Sequence, residues 1–241
     1  VGRIREKYLR EGIAEYMKVT AKAIRQGNLL ELDAEIDWKE AVLAEPLSCV
    51  LSGHEACQSK LGDNMVIIGT GPIGALHLLV ARLSGVDLIV VSDTSDERLE
   101  EARSLGADVL VNPTRDDLHE VVMDVTKGRG ADVVIIACSV PQVCTEALTL
   151  AATHGRILFF GGMPAGSENV LLNINLIHYR ELKLFGTTGS NIRQFRKANR
   201  LLVKHKEEFT RLVKHTFSLT SAVEAVQWAA SGKGLKTVVI P

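Results

Sequence analysis

Cysteine is sparse in this chain, with four among 241 residues, and Cys49, Cys57, Cys138 and Cys144 form no Cys-x-x-Cys pair. That excludes a disulfide-framed secreted scaffold and predicts buried free thiols in a reduced, cytoplasmic setting. Neither charge dominates: 28 Lys and Arg stand against 29 Asp and Glu, a formal net charge of −1. Without a basic field to hold a phosphate backbone, nucleic acid is not expected as a partner. Long hydrophobic runs are missing too. The most apolar stretch, residues 65–91, is interrupted by Arg82, Asp87 and four glycines, short of the roughly 18 apolar residues of a membrane span. A membrane is therefore not expected as a partner. Residues 1–7 carry charge where a secretory signal has its apolar core, and the chain begins with Val, as a processed chain or a fragment would.

What remains is ordinary globular material, 46% hydrophobic and 24% charged, which excludes disorder. The length suits one full domain with an appendage, or two small ones. Residues 64–69, 87–92, 108–112, 132–137, 156–161 and 182–186 are short apolar runs bounded by turn signals, and each predicts a buried strand. Helices are predicted after Pro72, from Thr94 and Ser95 to Gly106, over residues 116–127, after Pro141 and from Asn191. Strands alternating with helices require crossovers, so the expected fold is α/β, a doubly wound parallel sheet covered on both faces.

Gly69, Thr70, Gly71, Pro72, Ile73 and Gly74 form a G-x-G-x-x-G turn that follows an apolar strand and opens a helix. That is the context the motif needs to hold a dinucleotide. Gly69 makes the tight turn, Gly71 admits a diphosphate, and Gly74 lets helix and strand pack closely. The diphosphate would face the free N–H groups at the helix start, where Pro72 costs no hydrogen bond. Asp93 ends the second strand, where a carboxylate accepts both ribose hydroxyls and repels the 2′-phosphate of NADP. Thr94 and Ser95 follow it rather than Arg, which favours NAD; Arg98, one turn on, keeps NADP open. The plainer alternative makes Gly71 and Gly74 packing residues and Asp93 a helix cap.

The run Ala44, Glu45, Pro46, Leu47, Ser48, Cys49, the glycine turn, Asp93, Arg98 with Leu99, residues 105–108, residues 155–162 and residues 236–240 resemble the zinc-containing medium-chain alcohol dehydrogenases. The likeness is greatest to the sorbitol and polyol dehydrogenase branch, with threonine dehydrogenases close by. It implies a Rossmann sheet with remnants of a second, mostly β, GroES-like domain. It also implies a zinc-assisted hydride transfer between NAD and a secondary alcohol, and a homodimer or homotetramer. Carried over by position, Ile73, Asp93, Thr94 and Arg98 would hold the adenosine end, and Phe160, Gly161, Gly162, Thr187 and Thr188 the nicotinamide end. Cys138 would border that groove. Glu45 would approach the metal or the substrate, as the one candidate metal ligand.

The chain also departs from the family. Zinc-type members carry a Cys and a Gly-His-Glu element ahead of Glu-Pro-Leu-Ser, whereas the 44 residues before Glu45 contain neither Cys nor His. The metal shell cannot be completed here in the usual way. The expected division is 1–45 as a catalytic-domain remnant, 46–190 as the dinucleotide domain and 191–241 as a segment returning to the catalytic domain. Residues 13–19 alternate like a strand of that remnant, and 237–240 read as another. The expectation is a fragment or a degenerate member.

Gly53, His54 and Glu55 lie downstream of Glu-Pro-Leu-Ser, inside a helix predicted over 46–59. Cys49, His54 and Cys57 are too spread around it for one ion, so His54 is expected at the surface or as a cap. Cys138 and Cys144 read as core thiols. The basic run 193–200 reads as a solvated helix face, and Asp37 with Glu40 and Ser221 with Glu224 as capping boxes. Residues 182–186 read as a sheet edge, open to pairing with a second copy. Two function classes stand: an NAD-dependent alcohol or polyol dehydrogenase, and a non-catalytic nucleotide-binding module. A methyltransferase is disfavoured.

Overall fold

The structure, a computed structural model, describes residues 13–32 and 35–241. The chain divides into two compact units: Glu45–Gln194, and Val1–Ala44 together with Phe195–Pro241.

In the first unit α1 (Ala44–Ala56) leads into β1 (Asn64–Ile68), α2 (Pro72–Leu83), β2 (Leu88–Ser92), α3 (Asp96–Ser104), β3 (Val109–Val111) and α4 (Leu118–Val125). There follow β4 (Ala131–Ile136), α5 (Pro141–Leu150), β5 (Ala151–Phe159), α6 (Ile174–Tyr179) and β6 (Lys183–Gly186). The six strands form one parallel sheet in the order β3-β2-β1-β4-β5-β6. This is the doubly wound order expected from the alternating pattern, with the chain reversing direction across the sheet between β1 and β4. Met65, Val66, Ile67, Ile89, Val91 and residues 133–136 are buried. A parallel sheet is covered on both faces, which is why these strands read as unbroken apolar runs.

In this unit β5 and α6 differ from expectation. β5 was expected over 156–161 but runs Ala151–Phe159, starting directly from α5. Phe160 and Gly161 leave the ladder, and both their N–H groups donate to Ile136 O (3.1 and 3.0 Å). α6 has no periodic signal in the sequence, although Asn173 caps it by accepting the Leu176 N–H at 3.3 Å. Leu176 and Ile177 pack on the core cluster, so packing stabilises a helix too short to be read from periodicity.

In the second unit β7 (Val213–Ser218) and β8 (Lys236–Ile240) pair in parallel, with α8 (Ala222–Ala230) between them in sequence; α7 (Ile192–Lys204) leads into this unit. Residues 13–19, expected as a strand, form bends and irregular backbone, with Ile13, Tyr16 and Met17 exposed. Alternation supplies a strand's faces but not the neighbour its N–H and C=O groups need. The Asp37 capping box is present, with the Asp37 N–H donating to Glu40 Oε2 at 3.0 Å. The one expected at Ser221 is not: a 3₁₀ turn, Leu219–Ser221, holds that residue out of the extended conformation a cap requires, and no side-chain cap bond forms. No helix among the described residues is long and apolar enough to cross a membrane.

Candidate nucleotide site

The glycine turn joins β1 to α2 at the carboxyl end of the sheet, and its three glycines answer to different constraints. Gly69 has φ +93°, and a Cβ there would lie 3.1 Å from Ala137 O. A Cβ at Gly74 would lie 1.9 Å from Gly69 O, so only glycine lets helix and strand approach this closely. Gly71 caps α2 with ordinary φ, and a Cβ there would meet nothing within 4 Å. The space in front of it is open. Pro72 occupies the first helical turn, and the first helical bond runs from the Ala75 N–H to Gly71 O (2.9 Å). The N–H groups of Ile73 and Gly74 therefore precede the hydrogen-bonded helix, where the positive end of its dipole lies.

Asp93 stands beside this turn. Its Oδ2 accepts the Thr70 N–H (2.8 Å) and the Thr70 hydroxyl (3.1 Å), and its Oδ1 accepts the Ser95 N–H (3.0 Å). Arg98 Nη1 lies 3.8 Å from Oδ2. Asn112, buried at the end of β3, donates to Thr94 O (3.2 Å) and Asp96 Oδ1 (2.9 Å), pinning the segment after Asp93. The Arg115 guanidinium beside Asp96 is the first cause holding that carboxyl down at about 2.

A cleft of 570 Å³ collects Gly69, Gly71, Pro72, Asp93, Thr94, Arg98 and Cys138 from the expected set. Sequence reasoning missed its apolar side, Pro113, Val140 and Val143, together with Glu146. The only signal for these was that they flank β3 and open α5. A second, smaller cavity of 220 Å³ gathers Glu45, Ile73, Phe160, Thr187 and Thr188 with Pro46, Cys49 and Gly189. Ile73, expected at the adenosine end, thus lies with the residues expected at the nicotinamide end, because the first turn of α2 rotates it away from Asp93. Cys138, expected beside the nicotinamide residues, lines the cleft that holds Asp93. Gly74 and Gly161 line neither. They are packing positions, since a Cβ at Gly161 would stand 2.3 Å from Cys138 O. Gly162 lines neither cavity.

Cys144 is buried as expected, while Cys138 is half-buried; burial is the leading cause raising both thiols. Glu45 lies in the first turn of α1, and the Cys49 thiol donates to its Oε1 at 3.4 Å. Burial first, and then the Glu45 charge, push the Cys49 thiol up. No group of three or more His, Cys, Asp or Glu among the described residues could hold a metal ion. The described residues do not by themselves form a site for the zinc that the resemblance implies.

His54 is not the surface or capping residue expected. It is buried, its Nδ1 is 2.6 Å from Ser59 Oγ, and its ring stacks on His77 with centroids 5.2 Å apart. His77 is fully buried on α2 without a hydrogen-bond partner and meets Phe160 edge-on at 4.5 Å. Burial, reinforced by His54, holds it well below the usual histidine range. The Arg193 end of the basic run is exposed as expected and pairs with Glu55 at 2.7 Å.

The strand order, the glycine turn and the carboxylate after β2 together define a Rossmann-type domain. The chain belongs to the zinc-binding dehydrogenase family, which it matches over residues 72–204, in agreement with the resemblance read from the sequence. It is 32% identical over 231 residues to an L-threonine 3-dehydrogenase of Pyrococcus horikoshii, covering 93% of this chain and 63% of that one. To a sorbitol dehydrogenase of Halalkalibacterium halodurans it is 27% identical, covering 90% of this chain and 63% of that one. A protein of Escherichia coli CFT073 described as a short chain alcohol dehydrogenase, solved in complex with NADH, matches with a TM-score of 0.78 and 26% identity, over 89% of this chain and 62% of the other. The chain spans about 63% of the length of the curated relatives.

Proposed function

We propose that this chain is the cofactor-carrying part of an NAD-dependent oxidoreductase that moves a hydride between NAD and a secondary alcohol, a polyol or sugar alcohol. The observation that carries the reading is Asp93, a carboxylate held at the rim of an open cleft beside a glycine turn whose central glycine faces empty space. In this reading the diphosphate approaches the start of α2 across Gly71, and Asp93 accepts a ribose hydroxyl. Val140, Val143 and Pro113 take the adenine, with Thr94, Arg98 and Cys138 around it. Ile73, Phe160, Thr187 and Thr188, backed by Gly161 and Gly162, exclude water at the nicotinamide end. NAD, when bound, supplies the hydride acceptor. The NADH complex of the Escherichia coli relative supports a nicotinamide cofactor and Asp93 the choice of NAD; the threonine and sorbitol dehydrogenase relatives support a secondary alcohol, and the latter a polyol.

Glu45, beside the smaller cavity, is the residue we assign to the substrate side. Zinc belongs to the intact enzyme in this proposal, with Glu45 the one candidate ligand offered from here. We divide the chain into 1–45, a remnant of the catalytic domain, 46–190, the dinucleotide domain, and 191–241, which returns to the catalytic domain. A homodimer or homotetramer formed through the exposed edge strand β6 completes the proposal. A second reading, a nucleotide-binding module without catalysis, is favoured by one observation: the described residues hold no metal-ligand group.

Calorimetric titration with NAD and with NADP tests the cofactor assignment. NAD should bind more tightly than NADP, and Asp93→Ala should weaken NAD at least tenfold and narrow the preference. Failure of both nucleotides to bind would overturn the assignment.

A further inference from the structure

We propose that Thr70, the residue between the first two glycines of the turn, is a positioning residue that sets the choice between NAD and NADP by orienting the Asp93 carboxylate. The proposal rests on reading the cleft as an NAD site.

A carboxylate offers about four lone-pair directions. The chain itself occupies three on Asp93: two on Oδ2, from the Thr70 N–H and hydroxyl, and one on Oδ1, from the Ser95 N–H. One direction is left for a ribose hydroxyl, and it lies on Oδ1. The torsion that turns a carboxylate plane is intrinsically soft, so these donors decide where the remaining lone pair points. The two backbone donors come with the fold, whereas the hydroxyl comes from the side chain at position 70 and can be removed by itself. Thr70 is only 2% exposed and the Asp93 side chain 8%, so water does not readily replace a lost donor.

Arg98 supplies the competing pull. Its Nη1 stands 3.8 Å from the same Oδ2 that Thr70 engages. With the hydroxyl present, Oδ2 is held toward the glycine turn. Without it, Oδ2 keeps the Thr70 N–H alone, a single donor about which the carboxylate can pivot toward the guanidinium, and Oδ1 turns with it, away from the ribose. The hydroxyl therefore strengthens the hold on a free 2′-hydroxyl and keeps the carboxylate where it opposes a 2′-phosphate.

The test is calorimetric titration with NAD and NADP of the unsubstituted chain, Thr70→Val, Thr70→Ala and Thr70→Ser, with a thermal melt of each. Thr70→Ala deletes the hydroxyl without adding a buried methyl, in case Thr70→Val does not fold. Loss of one charge-assisted hydrogen bond is worth about a tenfold change. The expected result is NAD affinity about tenfold weaker in Val and Ala, NADP affinity changed less, and the NAD to NADP ratio restored by Ser. A ratio unchanged in Val and Ala, with NAD still bound by the unsubstituted chain, would overturn the proposal alone. A lowered melting temperature with an unchanged ratio would make Thr70 merely structural and would overturn it as well. No binding of either nucleotide to the unsubstituted chain would overturn the NAD reading, and the proposal with it.

Discussion

Gly74 packs so closely beneath Gly69 that a single added Cβ would come within 1.9 Å of the Gly69 carbonyl oxygen. Gly71, between them, has open space in front of it. The two positions should separate packing from ligand approach. Gly74→Ala should lower the melting temperature and weaken NAD more than tenfold, because the turn itself must move. Gly71→Ala should leave the melting temperature unchanged and still weaken NAD. Unchanged binding in Gly71→Ala would refute close approach of a diphosphate at that point.

Arg156 and Asp63 form an ion pair of 2.7 Å with side chains only 13% and 4% exposed. Arg156 also donates to Cys57 O and Gln58 O, and Asp63 accepts the Lys60 N–H, so the pair ties β5 to the segment between α1 and β1. Removing one partner leaves the other charge buried. Asp63→Ala should cost about 3–5 kcal/mol in denaturant unfolding. A loss below about 1 kcal/mol would show that the pair behaves as a surface bridge.

His77 gives a pH dependence whose sign follows from its burial. Its folded pKa lies below the unfolded value of 6.5, so below about pH 6.5 the unfolded chain binds a proton that the folded chain does not. Stability from this group is complete above that pH and falls by about 1.4 kcal/mol per pH unit as acid is added. It goes on falling until the folded pKa is reached. Melting temperatures from pH 7.5 to 5 should fall less steeply in His77→Leu than in the unsubstituted chain; parallel curves would contradict the assignment.

Cys57 is fully buried, and burial pushes its thiol up to about 11. Cys144 is buried as well, whereas Cys49 and Cys138 are half-exposed. Labelling with a thiol reagent at pH 8, followed by mass spectrometry, should modify Cys49 and Cys138 first. Cys57 and Cys144 should react only as fast as the chain opens. Prompt reaction of Cys57 would place it outside the core.

The glycine turn, the family and, apart from the bounds of β5, the strands of the six-stranded sheet are legible in the sequence, whereas β7 is not. Each rests on residues adjacent in the chain: a strand buried on both faces can only be an apolar run, and a tight turn into a helix needs glycine at Gly69 and Gly74. The rest came from packing. His54 reads as a surface residue on its own helix, and only the packing of α1 against α2 brings His77 to its ring. Ile73 and Asp93 belong to one motif in the sequence, yet helical rotation sends Ile73 to the smaller cavity with Phe160 and Thr187. Residues 13–19 alternate as a strand would, but a strand also needs a partner, which local pattern cannot supply. The bonds from Thr70 to Asp93 arise because the sheet sets β1 and β2 side by side, joining residues far apart in the chain. Local pattern fixes which surfaces must be buried, and the order of the strands fixes which side chains then meet.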